Sequence, residues 1–142
     1  MRPTDEPISV WAPPYRSLTI GLMLTITAAA FEALAVSTIL PTITAELGGR
    51  NLYGWIFSAF LLTRLIGSTL AGAEVDRQGP ALPFLIGVGI FVTGLLLGGL
   101  APSTEILLAG RVVQGLGSGV IGSVSYAIIA RGYPESVRPR ML

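Results

Sequence analysis

The chain has 142 residues, of which 51% are hydrophobic and only 12% are charged. Because soluble domains carry about 25% charged residues, this composition is typical of a membrane protein. Nine arginines, no lysine and eight acidic residues leave a net charge of +1, which is too small to indicate a nucleic-acid partner. Because cysteine, histidine and lysine are all absent, the usual zinc sites, thiolate nucleophiles, Ser-His-Asp triads and P-loops are excluded, and we expect no enzyme, no metal site and no cofactor.

Four apolar segments are long enough to cross a bilayer, because the hydrocarbon core takes about 20 apolar residues of helix. They run from about Leu18 to Ile43, Gly54 to Ala73, Leu82 to Ala101 and Ile106 to Ala130. The runs are continuous and lack the alternation of membrane strands, so we predict an all-α membrane protein. Residues 1–17 are predicted to form a cytoplasmic tail, and residues 131–142 to form a cytoplasmic loop that leads to a missing fifth helix.

The arginines outside these spans are unevenly divided between the two sides of the membrane. One side carries six of them, Arg2, Arg16, Arg77, Arg131, Arg138 and Arg140, and the other carries only Arg50. Cytoplasmic loops hold the excess of basic residues. We therefore predict a multi-pass protein of the cell (inner) membrane with its N-terminus in the cytoplasm.

A secretory signal peptide is an alternative interpretation of the first span. Arg16 would be its basic region, residues 18–26 its apolar core and Ala28 to Ala30 its small-residue cleavage site. The apolar run, however, resumes after Glu32 and continues to Ile43, which makes it much longer than a signal core. This length favours a spanning helix.

Three charged residues, Glu32, Arg64 and Arg111, lie inside the predicted spans. A charge near the bilayer centre costs roughly 2.5–3.5 kcal/mol on insertion scales, so such residues usually face a cavity or a partner. Glu32 and Arg64 lie near the midpoints of consecutive spans, and at 1.5 Å rise per residue their depths differ by only about 3 Å. We predict that these two residues are neighbours.

Two interpretations of Glu32 follow from this burial. In the first, Glu32 binds a proton or a cationic solute, and Arg64 or Arg111 is the positive neighbour that changes its proton affinity. In the second, the charges form a static buried ion pair that only fixes helix register.

Small residues mark the helix surfaces that we expect to face the protein interior. On the fourth span a stripe recurs at steps of four and three residues, formed by Arg111, Gly115, Ser118, Gly122 and Ser125. On the third span, Gly94 and Gly98 form a similar contact surface.

The segment after the second span, GAEVDRQGPALP, contains a charge pair within a tight turn. It resembles the cytoplasmic signature of the major facilitator superfamily of secondary transporters at four positions, Gly72, Asp76, Arg77 and Gly79. The resemblance implies a charge pair that binds a neighbouring helix end in one state and releases it in the other. The chain departs from the family pattern at Glu74, which is usually apolar, and at Pro80 and Ala81, which are usually basic.

Two further motifs resemble the same family, and within it the proton-coupled drug exporters. The fourth span, LLAGRVVQGLGSG, matches a family motif at Arg111, Gln114, Gly115 and Gly117, and the resemblance associates this arginine with proton transfer. The first span, FEALAVSTILPTI, places Glu32 nine residues before Pro41, as in drug exporters, although Asp is more usual there.

The resemblance covers nearly the whole chain and implies the first four helices of a six-helix N-terminal bundle. It also implies proton-coupled efflux of drugs or small molecules, with the lipid bilayer, protons, a substrate and the remaining helices or another subunit as partners. One alternative is a small multidrug exporter with four helices per subunit that works as a dimer. Another is a membrane fragment that does not transport.

Overall fold

The computed structural model describes residues 13–47 and 50–132, and nearly all of them are helical. Four long helices follow one another, α1 (Pro13–Glu46), α2 (Tyr53–Gln78), α3 (Ala81–Gly99) and α4 (Thr104–Gly132), and a short 3-10 helix (Arg50–Leu52) precedes α2. Each of the four long helices is long and apolar enough to cross a membrane. Even α3, the shortest, extends about 28 Å at 1.5 Å per residue, close to the thickness of the hydrocarbon core. The predicted fold class is confirmed for these residues.

A glycine makes the tight turn between α2 and α3. Gly79 has a φ of 80°, in the left-handed region that only glycine adopts without strain, and its N–H donates to the carbonyl of Val75 at 3.0 Å. Pro80 then lies immediately before α3, where its carbonyl accepts a hydrogen bond from the N–H of Phe84 at 3.1 Å. The turn allows α3 to return antiparallel to α2.

The helix α4 packs against α3 through direct contact of the two backbones. Gly94 of α3 lies against Gln114, and Gly98 lies against Gly110. Residue numbers rise along α4 as they fall along α3, so the two helices are antiparallel. The predicted small-residue surface of Gly94 and Gly98 is confirmed, because a side chain at Gly94 would collide with the α4 backbone.

The opposite side of α4 packs against α2 in the same manner. Gly115 lies against the carbonyl of Phe60, and Gly119 lies against the carbonyl of Arg64. Residue numbers rise along both helices, so α2 and α4 are parallel. This direction is the one that two helices separated by a single span must have.

The helix α1 has buried residues near both ends, Thr19 and Leu22 towards its N-terminal end and Leu40 and Thr44 towards its C-terminal end. There Leu40 is buried in a cluster with Ile56 of α2 and Leu107 of α4. Large apolar side chains elsewhere on α1, such as Met23 and Leu34, are exposed, as expected for a helix that faces lipid. A second cluster, at the other end of the helices, joins Ala71 and Val75 of α2 to Val124 of α4.

Gly94→Ala is expected to weaken the packing of α3 on α4. The new Cβ would lie 2.6 Å from the Cα of Gln114, so the two helices must separate, at a cost of about 1–3 kcal/mol. Thermal unfolding in detergent should show a lower midpoint for this variant. Gly89→Ala is the matched control on the same helix, because its Cβ would have no atom within 4 Å. Equal midpoints for the two variants would contradict the proposed packing.

Candidate functional site

A buried ion pair joins α1 to α4. The Nη1 atom of Arg111 donates to Oε1 of Glu32 at 2.5 Å, and the two side chains are only 5% and 11% exposed. The same Nη1 atom donates to Oε1 of Gln114, also at 2.5 Å, and the guanidinium lies over the ring of Phe60 with Cζ 4.1 Å from the centroid. The positive charge therefore has a carboxylate, an amide oxygen and an aromatic face around it, which compensates for its removal from water.

Small side chains on α1 bring the carboxylate close to α4. Ala35, one turn after Glu32, lines a cavity together with Arg111, and Ala28 and Ala29, one turn before it, line a second cavity that α4 also borders. Glu32 thus projects from a small-residue surface that faces α4.

The predicted pairing of Glu32 with Arg64 is wrong. Arg64 is exposed and takes part in no ion pair among residues 13–47 and 50–132. The backbone of Arg64 lies against Gly119, which is eight residues, or about 12 Å, further along α4 than Arg111. Glu32 and Arg64 are at similar depths along their helices, but they do not lie on helix surfaces that face each other. The packing of α2 on α4 brings Arg111 to the carboxylate instead.

Two cavities flank the ion pair. The smaller, of about 190 Å³, is lined by residues 35–43 of α1, by the C-terminal end of α3, and by Arg111 and Gln114. The larger, of about 610 Å³, is lined by residues 25–33 of α1 and by the second half of α4. Glu32 lies next to the point where these two stretches of α1 meet, so the two cavities lie on either side of the ion pair along the helix.

Two buried hydrogen-bond donors of the site face no acceptor within the described part of the chain. They are Nε of Arg111 and Nε2 of Gln114, and both residues line the smaller cavity. Because a buried donor without an acceptor is destabilising, this side of the site is suited to binding a group that accepts hydrogen bonds.

The loop motif forms a second charge cluster at the end of α2. Asp76 accepts a hydrogen bond from Nη2 of Arg131 at 2.8 Å, and Nη1 of Arg131 donates to the carbonyl of Val75 at 3.2 Å. Arg77 is 78% exposed and its Nη1 lies 4.0 Å from Oε2 of Glu74. Among the residues that the structure describes, Asp76 therefore contacts a neighbouring helix and Arg77 pairs only within its own helix.

Sequence reasoning missed the role of Arg131. It treated this arginine only as a loop charge that indicates orientation, because no local pattern relates residues that lie 55 positions apart. Arg131 lies in the last turn of α4, which ends on the same side of the membrane as Asp76. This position was the one indication of the contact that the sequence offered.

The glycines of the motifs have different structural reasons. Gly115 and Gly117 permit backbone contacts of α4, the first with α2 and the second with α3 near Phe91, and Gly79 adopts a positive φ. At Gly72, by contrast, an added Cβ would meet no atom within 4 Å. Nothing in the described residues explains a glycine at this position.

Together, the four apolar helices, the buried ion pair and the cavities beside it define a multi-pass membrane protein with a polar site inside the bilayer. The chain belongs to the Major Facilitator Superfamily, whose family model matches residues 18–142. The family predicted from the three motifs is therefore confirmed, rather than that of the small four-helix exporters.

Several curated relatives are similar over most of the chain. It is 33% identical over 109 residues to a probable multidrug-efflux transporter of Mycobacterium tuberculosis, covering 77% of this chain and 23% of the relative. It is 37% identical over 110 residues to an efflux pump of Gibberella fujikuroi, covering 78% and 20%, and 28% identical over 124 residues to multidrug resistance protein 3 of Bacillus subtilis, covering 87% and 24%. The chain thus spans about a quarter of the length of these relatives. No solved structure matches it.

A double-mutant cycle tests whether Glu32 and Arg111 interact in the full-length gene product. Either single change, Glu32→Gln or Arg111→Gln, leaves one buried charge uncompensated and should lower the free energy of unfolding by about 3–5 kcal/mol. The double variant should lose less than the sum, because neither charge remains. Thermal unfolding in detergent gives the three values, and additive losses would show that the two side chains do not interact.

Proposed function

We propose that the chain forms part of a transporter, not an enzyme, that exports drugs or other small molecules in exchange for protons. Glu32 is the proton-binding residue and Arg111 is its partner. The observation that carries this proposal is the buried Glu32–Arg111 pair between two cavities. An ionisable group in that position can exchange a proton with one cavity and then with the other if the helices around it move.

Protonation of Glu32 changes the contact between α1 and α4. A protonated carboxyl no longer attracts the guanidinium of Arg111 as a charge, so the contact between the two helices is weakened from an ion pair to a neutral hydrogen bond. Leu40 near the C-terminal end of α1 stays buried, as do Thr19 and Leu22 near the N-terminal end. Proton binding therefore loosens the middle of α1 against α4, which opens or closes the larger cavity.

The names of relatives support the export direction. The proteins of Mycobacterium tuberculosis and Gibberella fujikuroi are named as efflux transporters, the former for multiple drugs. Their similarity to this chain includes most of its described residues. We extend their activity to this chain as part of the proposal.

We place the N-terminus and the α2–α3 turn in the cytoplasm of the cell that exports the substrate. The basis is the distribution of arginine outside the spans, six on that side and one on the other. In this orientation the smaller cavity lies towards the outside, and the larger cavity lies towards the cytoplasm.

Asp76 and Arg131 act as a latch at the cytoplasmic ends of α2 and α4. Both side chains are exposed, 79% and 50% respectively, so their attraction is weak and easily exchanged for water. A weak pair of this kind is suited to forming in one state of the transport cycle and breaking in another.

Glu32→Gln is expected to abolish proton-driven export by the full-length gene product, with efflux expressed per amount of the variant in the membrane because loss of the ion pair lowers its stability. The amide has nearly the same size as the carboxyl but cannot bind and release a proton. Efflux of preloaded ethidium and pyrenebutyrate from cells, with and without a proton uncoupler, measures the effect. Glu46→Gln, on the exposed end of the same helix, should keep wild-type efflux. Full uncoupler-sensitive efflux by Glu32→Gln would refute the proposal.

Asp76→Asn is expected to slow the conformational cycle with little change in substrate affinity. The substitution removes the charge that holds Arg131 but leaves both cavities untouched. Initial efflux rates across a range of substrate concentrations should show a lower maximal rate and an unchanged half-saturating concentration. Glu105→Gln, an exposed acid at the opposite end of α4, is the control. A defect confined to affinity would contradict the latch.

A further inference from the structure

Arg64 is a charged residue without a charged partner in the middle of α2. It lies 11 residues from the start and 14 residues from the end of that helix, or about 17 Å and 21 Å along the axis, which places it near the middle of the span. Within residues 13–47 and 50–132 it makes no ion pair. A guanidinium in this position is strongly unfavourable unless it meets a polar or anionic group.

Arg64 is one of the residues that line the larger cavity. The contact of its backbone with Gly119 holds this part of α2 against α4, which borders the cavity. The cavity volume of about 610 Å³ suits an organic molecule of drug size. Its walls are mainly apolar, with small alanines on α1, Phe91 on α3 and Ile121 on α4.

Arg64 is the only charged side chain among the described residues that line this cavity. Glu32, the nearest acid on α1 in sequence, is already paired with Arg111. The hydroxyl groups of Thr25 and Ser125 donate to carbonyls of their own helices, at 2.8 Å and 2.7 Å. The cavity therefore combines one uncompensated positive charge with a large apolar surface.

We propose that Arg64 binds the anionic group of an amphipathic organic anion, whose apolar body lies in the larger cavity. This inference rests on the proposed function and names its substrate class. Arginine holds carboxylate, sulfonate and phosphate groups through two parallel N–H donors. The remainder of such a molecule is held by burial of apolar surface against α1, α3 and α4.

A matched pair of fluorescent probes tests this assignment. 1-Pyrenebutyrate and 1-pyrenebutanol have the same apolar body and differ in whether they end in a carboxylate or a hydroxyl. Their equilibrium binding is measured by fluorescence with the purified full-length gene product in lipid nanodiscs, and empty nanodiscs provide the correction for partition into lipid. No proton gradient is present, so the result is independent of proton coupling.

The wild-type protein should bind 1-pyrenebutyrate about tenfold more tightly than 1-pyrenebutanol, as expected for one charge-assisted contact. Arg64→Gln should remove this preference and leave the affinity for the alcohol unchanged, which also reports that the variant is folded. Arg64→Lys should retain part of the preference. Arg16→Gln removes the same charge at an exposed site outside the cavities and the latch, and this variant should bind both probes as the wild type does.

Two outcomes would overturn the assignment. One is a wild-type protein that binds the two probes equally or binds neither. The other is an Arg64→Gln variant that still prefers 1-pyrenebutyrate to 1-pyrenebutanol. The same conclusion follows if Arg64→Gln binds neither probe while Arg64→Lys binds both as the wild type does, which is expected if Arg64 only compensates a carboxylate of another helix. If the probe experiment fails, the proposal that Glu32 couples export to protons still stands. If instead the wild type prefers 1-pyrenebutyrate but shows no uncoupler-sensitive efflux, only the proton coupling is rejected.

Discussion

A carboxylate and a guanidinium that meet inside the bilayer impose the main constraint on this protein. Neither charge is tolerated alone in hydrocarbon, so Glu32 of α1 must lie within hydrogen-bond distance of Arg111 of α4. Gln114 and Phe60 occupy the remaining space around the guanidinium. The pair holds the middle of α1, whose other buried residues in the described part of the chain lie towards its two ends.

Glycine makes the constraint possible, because it lets α4 come close to two helices at once. Gly110 and Gly117 remove side chains between α4 and α3, and Gly115 and Gly119 remove them between α4 and α2. With its two sides in backbone contact, α4 is a rigid element from which Arg111 projects. The cluster of Ala71, Val75 and Val124 fixes its other end. A rigid α4 that meets the middle of α1 through one ion pair is an arrangement in which a change of charge at one residue can alter the contact between two helices.

The sequence was sufficient for features that depend on length and local chemistry. Apolar runs predicted the four helices because a bilayer has a fixed thickness, and the glycine of the α2–α3 turn was evident from its motif. The partner of Glu32 was not predictable in this way. The depth of each charged residue in the membrane follows from its residue number. Which helix surfaces face each other depends on how α2 and α4 pack, and that packing brings Arg111 rather than Arg64 to the carboxylate. The contact of Asp76 with Arg131 likewise depends on the parallel alignment of two helices that are distant in sequence.

The central claim is that Glu32 gains and loses a proton in the membrane, and infrared difference spectroscopy of the full-length gene product in lipid tests it without any knowledge of the substrate. The account predicts a carbonyl band of a protonated carboxylic acid that appears reversibly when an alkaline buffer is replaced by an acidic one. This band should be absent from Glu32→Gln and present in Glu46→Gln. Identical difference spectra for the wild type and Glu32→Gln would contradict the account.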